Sequence, residues 1–236
     1  MIKRTNPKHS RVRRVHRAYI NLRRTRQILT VFFKYGFDNV LELVKVEYIL
    51  KIRQKLRPKQ TKKEVEKLHP AARLRMAFGE LGPTFIKLGQ ILSTRPDLIP
   101  PVYVKELGKL RDEATPLSDE VIEQQIQNNF REPITELFEK FDRVPVASAS
   151  ISQVHRAKLH SGKDVALKIQ RPNISRTVES DLEILRDLAQ LLTRYLPEIA
   201  LYNPVGIINE FDKSIHREMD FIREARNIER FQRNFA

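Results

Sequence analysis

The stretch from Val146 to Gln170, VASASISQVHRAKLHSGKDVALKIQ, limits the possible folds more than any other part of the chain. A first strand runs into a loop of small residues, Ala147-Ser148-Ala149-Ser150. A second strand is predicted over about Ser152 to Leu159, and His160-Ser161-Gly162-Lys163 supplies the glycine of a hairpin turn. A third strand spans about Asp164 to Gln170 and contains Val165-Ala166-Leu167-Lys168. Lys168 thus falls inside an otherwise apolar strand. Its ammonium is costly to bury unless it meets an anion.

Two readings of that lysine stand side by side. Strand, small-residue loop, strand, hairpin and lysine-bearing strand form the opening of a kinase-type nucleotide lobe. A three-stranded meander with a snorkelling lysine needs the same residues. The stretch alone leaves both open.

Charge separates the two ends of the chain. Residues 1–63 hold nineteen Lys and Arg against three Asp and Glu, and the other 173 residues hold twenty-five against twenty-six. The net charge of +15 therefore belongs to an N-terminal segment and predicts an anionic partner. There is no cysteine, which excludes disulfides, thiolate metal sites and a cysteine nucleophile. The most apolar long stretch, Ile28 to Leu50, is broken by Lys34, Asp38, Glu42, Lys45 and Glu47, so it does not make the ~20 apolar residues of a membrane span. The start has no signal-peptide pattern.

The remaining punctuation is mostly helical. Residues 1–27 read as a basic, partly ordered arm, helical toward its end, and about Gln27 to Leu56 as one long helix ended by Arg57-Pro58. A charged linker follows over 58–69. Helices are predicted over Ala71 to Leu81, from Pro83 to about Thr94, and over Val102 to Arg111. Ser118 caps a helix to Phe130, and Pro133 opens one to about Lys140. Helices over Ile174 to Tyr195 and from Pro204 to about Phe235 close the chain. In TFIKLGQILST, Lys87, Gln90 and Thr94 share a face, with Phe85, Leu88 and Leu92 on another. Periodicity alone favours a solvent-facing Lys87 and Gln90. Gly89 costs its helix about 1 kcal/mol relative to alanine, so it needs a packing reason or a close approach by another backbone.

The last helix offers Glu218, Asp220 and Glu224. Asp220 and Glu224 share a face at i, i+4, and Glu218 points about 120° away from Glu224. One helix then presents carboxylates to two basic groups. A solvated acidic face is the plainer alternative.

Four stretches together resemble the UbiB/AarF-type family of atypical kinases: Lys87-Leu88-Gly89-Gln90, Ala147 to His155, Val165 to Lys168, and Glu218-Met219-Asp220 with Glu224-Ala225-Arg226-Asn227. The resemblance covers roughly residues 70–236. It implies that Lys168 contacts the α/β phosphates of ATP and that Glu224 pairs with it, as the catalytic residues within this chain. It implies a nucleotide-binding loop of Val146, Ala147, Ser148, Ala149, Ser150, Ile151, Ser152, Gln153 and Val154. It implies that Lys87, with Gly89 and Gln90 beside it, pairs with the Glu218/Asp220 element and lies over the entrance for a protein substrate. A small-molecule kinase or ATPase is then expected, serving ubiquinone or related isoprenoid-quinone biosynthesis. Alanine and serine resist the backbone conformations by which glycine-rich loops approach phosphate, so the loop is expected to grip phosphate differently. The serine hydroxyls are additional donors.

The expected fold class is α+β: a helical N-terminal extension packed on a partial protein-kinase-like N-lobe with a small antiparallel sheet. The expected divisions are 1–69 (basic extension and linker), 70–140 (helical block with the Lys-x-Gly-Gln motif) and 141–236 (partial N-lobe). No catalytic-loop Asp and Asn and no DFG-type metal site occur in these residues, so Mg²⁺ ligands are expected beyond residue 236 and the piece is expected to be inactive alone. Expected partners are ATP, an isoprenoid lipid or quinone precursor, quinone-biosynthesis proteins and an anionic membrane surface. The expected location is cytoplasmic, peripheral on the inner face of a bacterial-type membrane. Specific nucleic-acid recognition is disfavoured, because few aromatics interleave with the basic run. The rival is a non-enzymatic basic helical adaptor for membrane or nucleic acid.

Overall fold

The computed structural model describes residues 7–38, 65, 67–111 and 114–235, with residues 7–20 as backbone. Helix α1 spans Pro7–Lys34. It thus begins well inside the basic arm and ends far short of Leu56. The stop is a glycine cap: Gly36 takes φ 74°, its N–H reaches Phe33 O at 3.1 Å, and the Phe37 N–H reaches Phe32 O at 3.0 Å. Those bonds satisfy the last carbonyls and turn the chain away. Residues 39–56 of the predicted helix, and the linker residues 58–64 and 66, lie outside the described residues.

Three helices follow: α2, Pro70–Leu81; α3, Pro83–Ser93; and α4, Pro101–Leu107. Each starts on a proline, whose missing N–H is not needed at a first helical position. Helix α5, Asp119–Phe130, and the single turn α6, Ile134–Leu137, lead into the sheet. The helix expected over 133–140 ends early because Phe138–Phe141 forms strand β1. Those residues pair antiparallel with Leu159, Lys158 and Ala157, and Phe138 is buried against the sheet's core.

Strand β3, Ser152–Leu159, is the spine of the sheet. Strand β1 and the short β2, Ala147–Ser148, pair with different parts of it. Strand β4, Asp164–Gln170, pairs with β3 along its length. Gly162 at φ 81° makes the hairpin. Helix α7, Ile174–Tyr195, the turn α8, Pro197–Ala200, and helix α9, Pro204–Met219, then pass back over the helical side. The long helix predicted from Pro204 to Phe235 is two helices: α10 is Phe221–Phe235. Asp220 sits at φ −88°, ψ 84°, between them. Its carboxylate accepts the Arg223 N–H at 2.9 Å, an N-cap that favours a new helix start over continuation.

Two cores result. The larger joins α1, α2 to α4, α7 and α9 through Ile28, Phe85, Leu107, Val178, Leu182, Phe211 and Ile215, with Ile151 inserted from the loop before β3. The smaller joins α5 and α6 to one face of the sheet through Ile122, Ile126, Ile134, Phe138, Ala157 and Ile169. The architecture is helical with a small antiparallel sheet, as the sequence predicts.

Candidate functional site

Strand register decides which side chains share a face with Lys168. Val154 stands opposite Lys168, Arg156 opposite Ala166, and Lys158 opposite Asp164. Directly opposed residues project to the same side of a sheet. The other face carries Gln153, His155 and Ala157 with Ile169, Leu167 and Val165, and it packs on α5. Lys168 therefore looks away from the smaller core, over a floor of Val154 and Ala166.

Lys168 is not left to solvent. Its ammonium donates to Glu224 Oε2 on α10 at 2.6 Å and lies 4.7 Å from the centroid of the Phe221 ring. The pair keeps 31% and 44% of its side-chain surface exposed. The ammonium is thus oriented by a carboxylate and an aromatic face but remains reachable. Phe221 was not singled out from sequence. Its i, i+3 spacing from Glu224 on an amphipathic helix start is the signal that points to it.

The second predicted pair also forms. Lys87 on α3 meets Glu218 on α9 at 2.8 Å. Glu218 and Glu224 reach different cations because the chain breaks at Asp220, not because one helix radiates both. Asp220 spends its carboxylate on the α10 cap, and its carbonyl accepts the Glu224 N–H at 3.1 Å. The break is tied to the sheet, since Gln170 Nε2 donates to Met219 O at 3.4 Å. Gln90 is not solvent-facing either: it reaches Leu110 O at 3.4 Å. Gly89 has its packing reason. A Cβ there would sit 2.9 Å from the Phe78 ring and against Leu110 and Leu107.

The loop residues divide. Val146 and Ala147 are exposed, Ser148 and Ala149 half-buried, and Ser150, Ile151 and Ser152 buried. Ala149 N–H closes the turn on Ser152 O at 2.8 Å. Gln153 is fully buried on the face opposite Lys168. Its Oε1 accepts the Leu117 N–H at 2.9 Å, and its Nε2 lies 2.7 Å from His155 Nε2. His155 Nδ1 lies 2.8 Å from Asp142 O. A carbonyl only accepts, so Nδ1 carries the proton and Nε2 accepts from Gln153. The imidazole also stacks on Phe141 at 5.0 Å. These two polar side chains brace the sheet's underside, leaving Val154 as the residue of this motif that faces Lys168.

The arrangement offers an apolar floor, a tight small-residue loop and a reachable ammonium, Lys168, that can donate hydrogen bonds to an anion. Among the described residues no helix is long and apolar enough to cross a membrane.

The profile of the ABC1 atypical kinase-like domain matches residues 109–236. Among solved structures, the complex of Rv3197 with erythromycin from Mycobacterium tuberculosis is 30% identical, over 67% of this chain, with a TM-score of 0.40. The chain spans 40% of the length of that protein.

Proposed function

Since the chain belongs to the family of ABC1 atypical kinase-like domains, we propose that it carries the phosphate-gripping part of an ATP-dependent small-molecule kinase or ATPase. The observation that carries this proposal is the Lys168–Glu224 pair, formed between a strand and a helix 56 residues apart in sequence. Lys168 would hold the α/β phosphates, Glu224 and Phe221 would aim its ammonium, and Val154 with Ala166 would form the apolar floor for the base. Mg²⁺ would neutralise the phosphates when bound. The Lys87–Glu218 pair fixes helix α3 against α9. In this reading α3 restricts the entrance to small acceptors, and an isoprenoid lipid or quinone precursor is the proposed class, with quinone-biosynthesis proteins as neighbours.

A peripheral site on the cytoplasmic face of an anionic membrane is proposed for the N-terminus. Helix α1 contains basic residues and no Asp or Glu over its 28 residues. Such a helix gains up to about 1 kcal/mol per cation near an anionic surface.

The test is MgATP binding by the whole protein and its Lys168→Ala variant. A charge-assisted hydrogen bond to phosphate is worth about tenfold to a hundredfold in affinity, so a loss of that size is expected. Unchanged affinity rejects the site. Vesicles with and without phosphatidylglycerol, and duplex DNA, test the helix. Salt-sensitive DNA binding that survives removal of residues 140–236, without vesicle binding, would favour the adaptor instead.

A further inference from the structure

A loop without glycine must get its shape from somewhere else. No residue from Val146 to Val154 takes a positive φ, so the loop holds no conformation that only glycine allows. It is instead cross-linked from outside, and one residue makes three of these links. Arg171, the residue after β4, donates from Nε to Ala149 O at 2.8 Å. Its Nη2 donates to Ser148 Oγ at 3.0 Å and to Thr115 O at 2.9 Å. Its backbone N–H reaches Ile151 O at 2.9 Å. The segment holding Thr115 is itself bound to the loop, through Ala114 N–H to Ser148 O at 3.0 Å.

We propose that Arg171 is a positioning residue: its guanidinium sets the shape of the Ala147–Ser150 loop relative to Lys168 and thereby its grip on nucleotide phosphate. This rests on the nucleotide-site assignment above. The physical basis is the planar fork. Nε and Nη2 diverge at fixed angles and bind three oxygens on two segments, which a single ammonium cannot reproduce. Arg171 follows Lys168 by three residues on the same strand exit. The loop is therefore indexed to the lysine, and to the segment after Leu110, whose carbonyl Gln90 holds.

The test compares Arg171→Lys, Arg171→Ala and Ser148→Ala in the whole protein, with Lys168→Ala beside them. Three quantities are read: MgATP affinity, adenosine affinity, and hydrogen exchange of the amides of residues 147–151. Arg171→Lys is expected to lose about tenfold in MgATP affinity, the worth of about one good hydrogen bond, with adenosine unchanged and exchange accelerated. Ser148→Ala removes one acceptor of three and loses less. Wild-type MgATP affinity and exchange in Arg171→Lys overturn the proposal. So does an equal loss for MgATP and adenosine, which marks a purely structural role. If Arg171→Ala fails to fold, Arg171→Lys still decides. If Lys168→Ala binds MgATP normally, the nucleotide-site assignment fails, and exchange in Arg171→Lys still reports whether the clamp shapes the loop.

Discussion

Two ion pairs of the same composition class do opposite work in the two halves of the molecule. In the helical half, Arg24 on α1 grips Asp181 on α7 with both arms of its fork, Nε to Oδ1 at 2.6 Å and Nη2 to Oδ2 at 2.9 Å. The same Nη2 also serves Leu81 O at 2.8 Å. Arg24 keeps 14% of its side-chain surface and Asp181 none. Asn21 beside it bonds Ser180 and Glu183. On the sheet side, Lys168 and Glu224 are joined by one bond and stay partly open. Helix α10, which supplies Glu224, buries none of its described side chains. A bidentate, dry pair specifies how elements pack, whereas a single-point, half-wet pair can exchange partners with a ligand.

That contrast breaks if the two pairs respond alike to removal. Arg24→Ala leaves the Asp181 carboxylate buried and uncompensated, and a loss of about 3–5 kcal/mol is expected in urea denaturation. MgATP affinity of the folded protein should be little changed. Lys168→Ala should give the mirror image: stability within about 1 kcal/mol of the parent, because a half-exposed pair contributes little, and MgATP affinity reduced as stated above. A large stability loss in Lys168→Ala, or a large affinity loss in Arg24→Ala, would erase the distinction.

Gly89 sharpens it by a smaller amount. Alanine gains helix propensity of about 1 kcal/mol. Its methyl group must displace the Phe78 ring and the end of Leu110, and overpacking costs about 1–3 kcal/mol. A net destabilisation of roughly 1 kcal/mol is expected. Because Gln90 holds the Leu110 carbonyl, MgATP affinity is the second measurement: a drop beyond the stability change would tie the helical half to the loop.

The sheet was more legible in the sequence than the helices' ends. Strands β3 and β4 fall on the predicted residues because alternation and Gly162 fix them locally. Helix α7 likewise follows from its leucine spacing. A glycine such as Gly36 within an apolar stripe carries no clear stop signal, and only its left-handed φ of 74° reveals the cap. Strand β1 was read as helix because Pro133 starts helices and four residues carry too little alternation to object. Its pairing with β3 is a tertiary fact. Both ammonium–carboxylate pairs follow from the family resemblance and not from spacing, and their geometry comes from the break at Asp220, where an aspartate that continues a helical face also caps a new helix. The Arg24–Asp181 clamp gave no signal, since an arginine within a basic run and an aspartate on a long helix look like solvated surface.

The smallest predicted effect concerns the α7–α9 seam, which carries Glu218 toward Lys87. His216 on α9 lies 2.9 Å from Asp212 O through Nδ1 and 2.7 Å from Glu179 on α7 through Nε2. Asp212 in turn bonds Arg186. The Asp212 carbonyl, followed by the Glu179 carboxylate, raises the His216 pKa above its ordinary 6.5, against a smaller opposing effect of burial. A raised folded-state pKa means that the stabilisation is complete below about pH 6.5 and is lost as pH climbs through the higher folded value. The imidazole is 44% exposed, so solvent screens the pair and the effect should be only a few tenths of a kcal/mol. Denaturation midpoints at pH 6 and pH 8.5 should show it, and His216→Gln should flatten that part of the difference. An unchanged difference between the two midpoints in His216→Gln would remove this pair as its source.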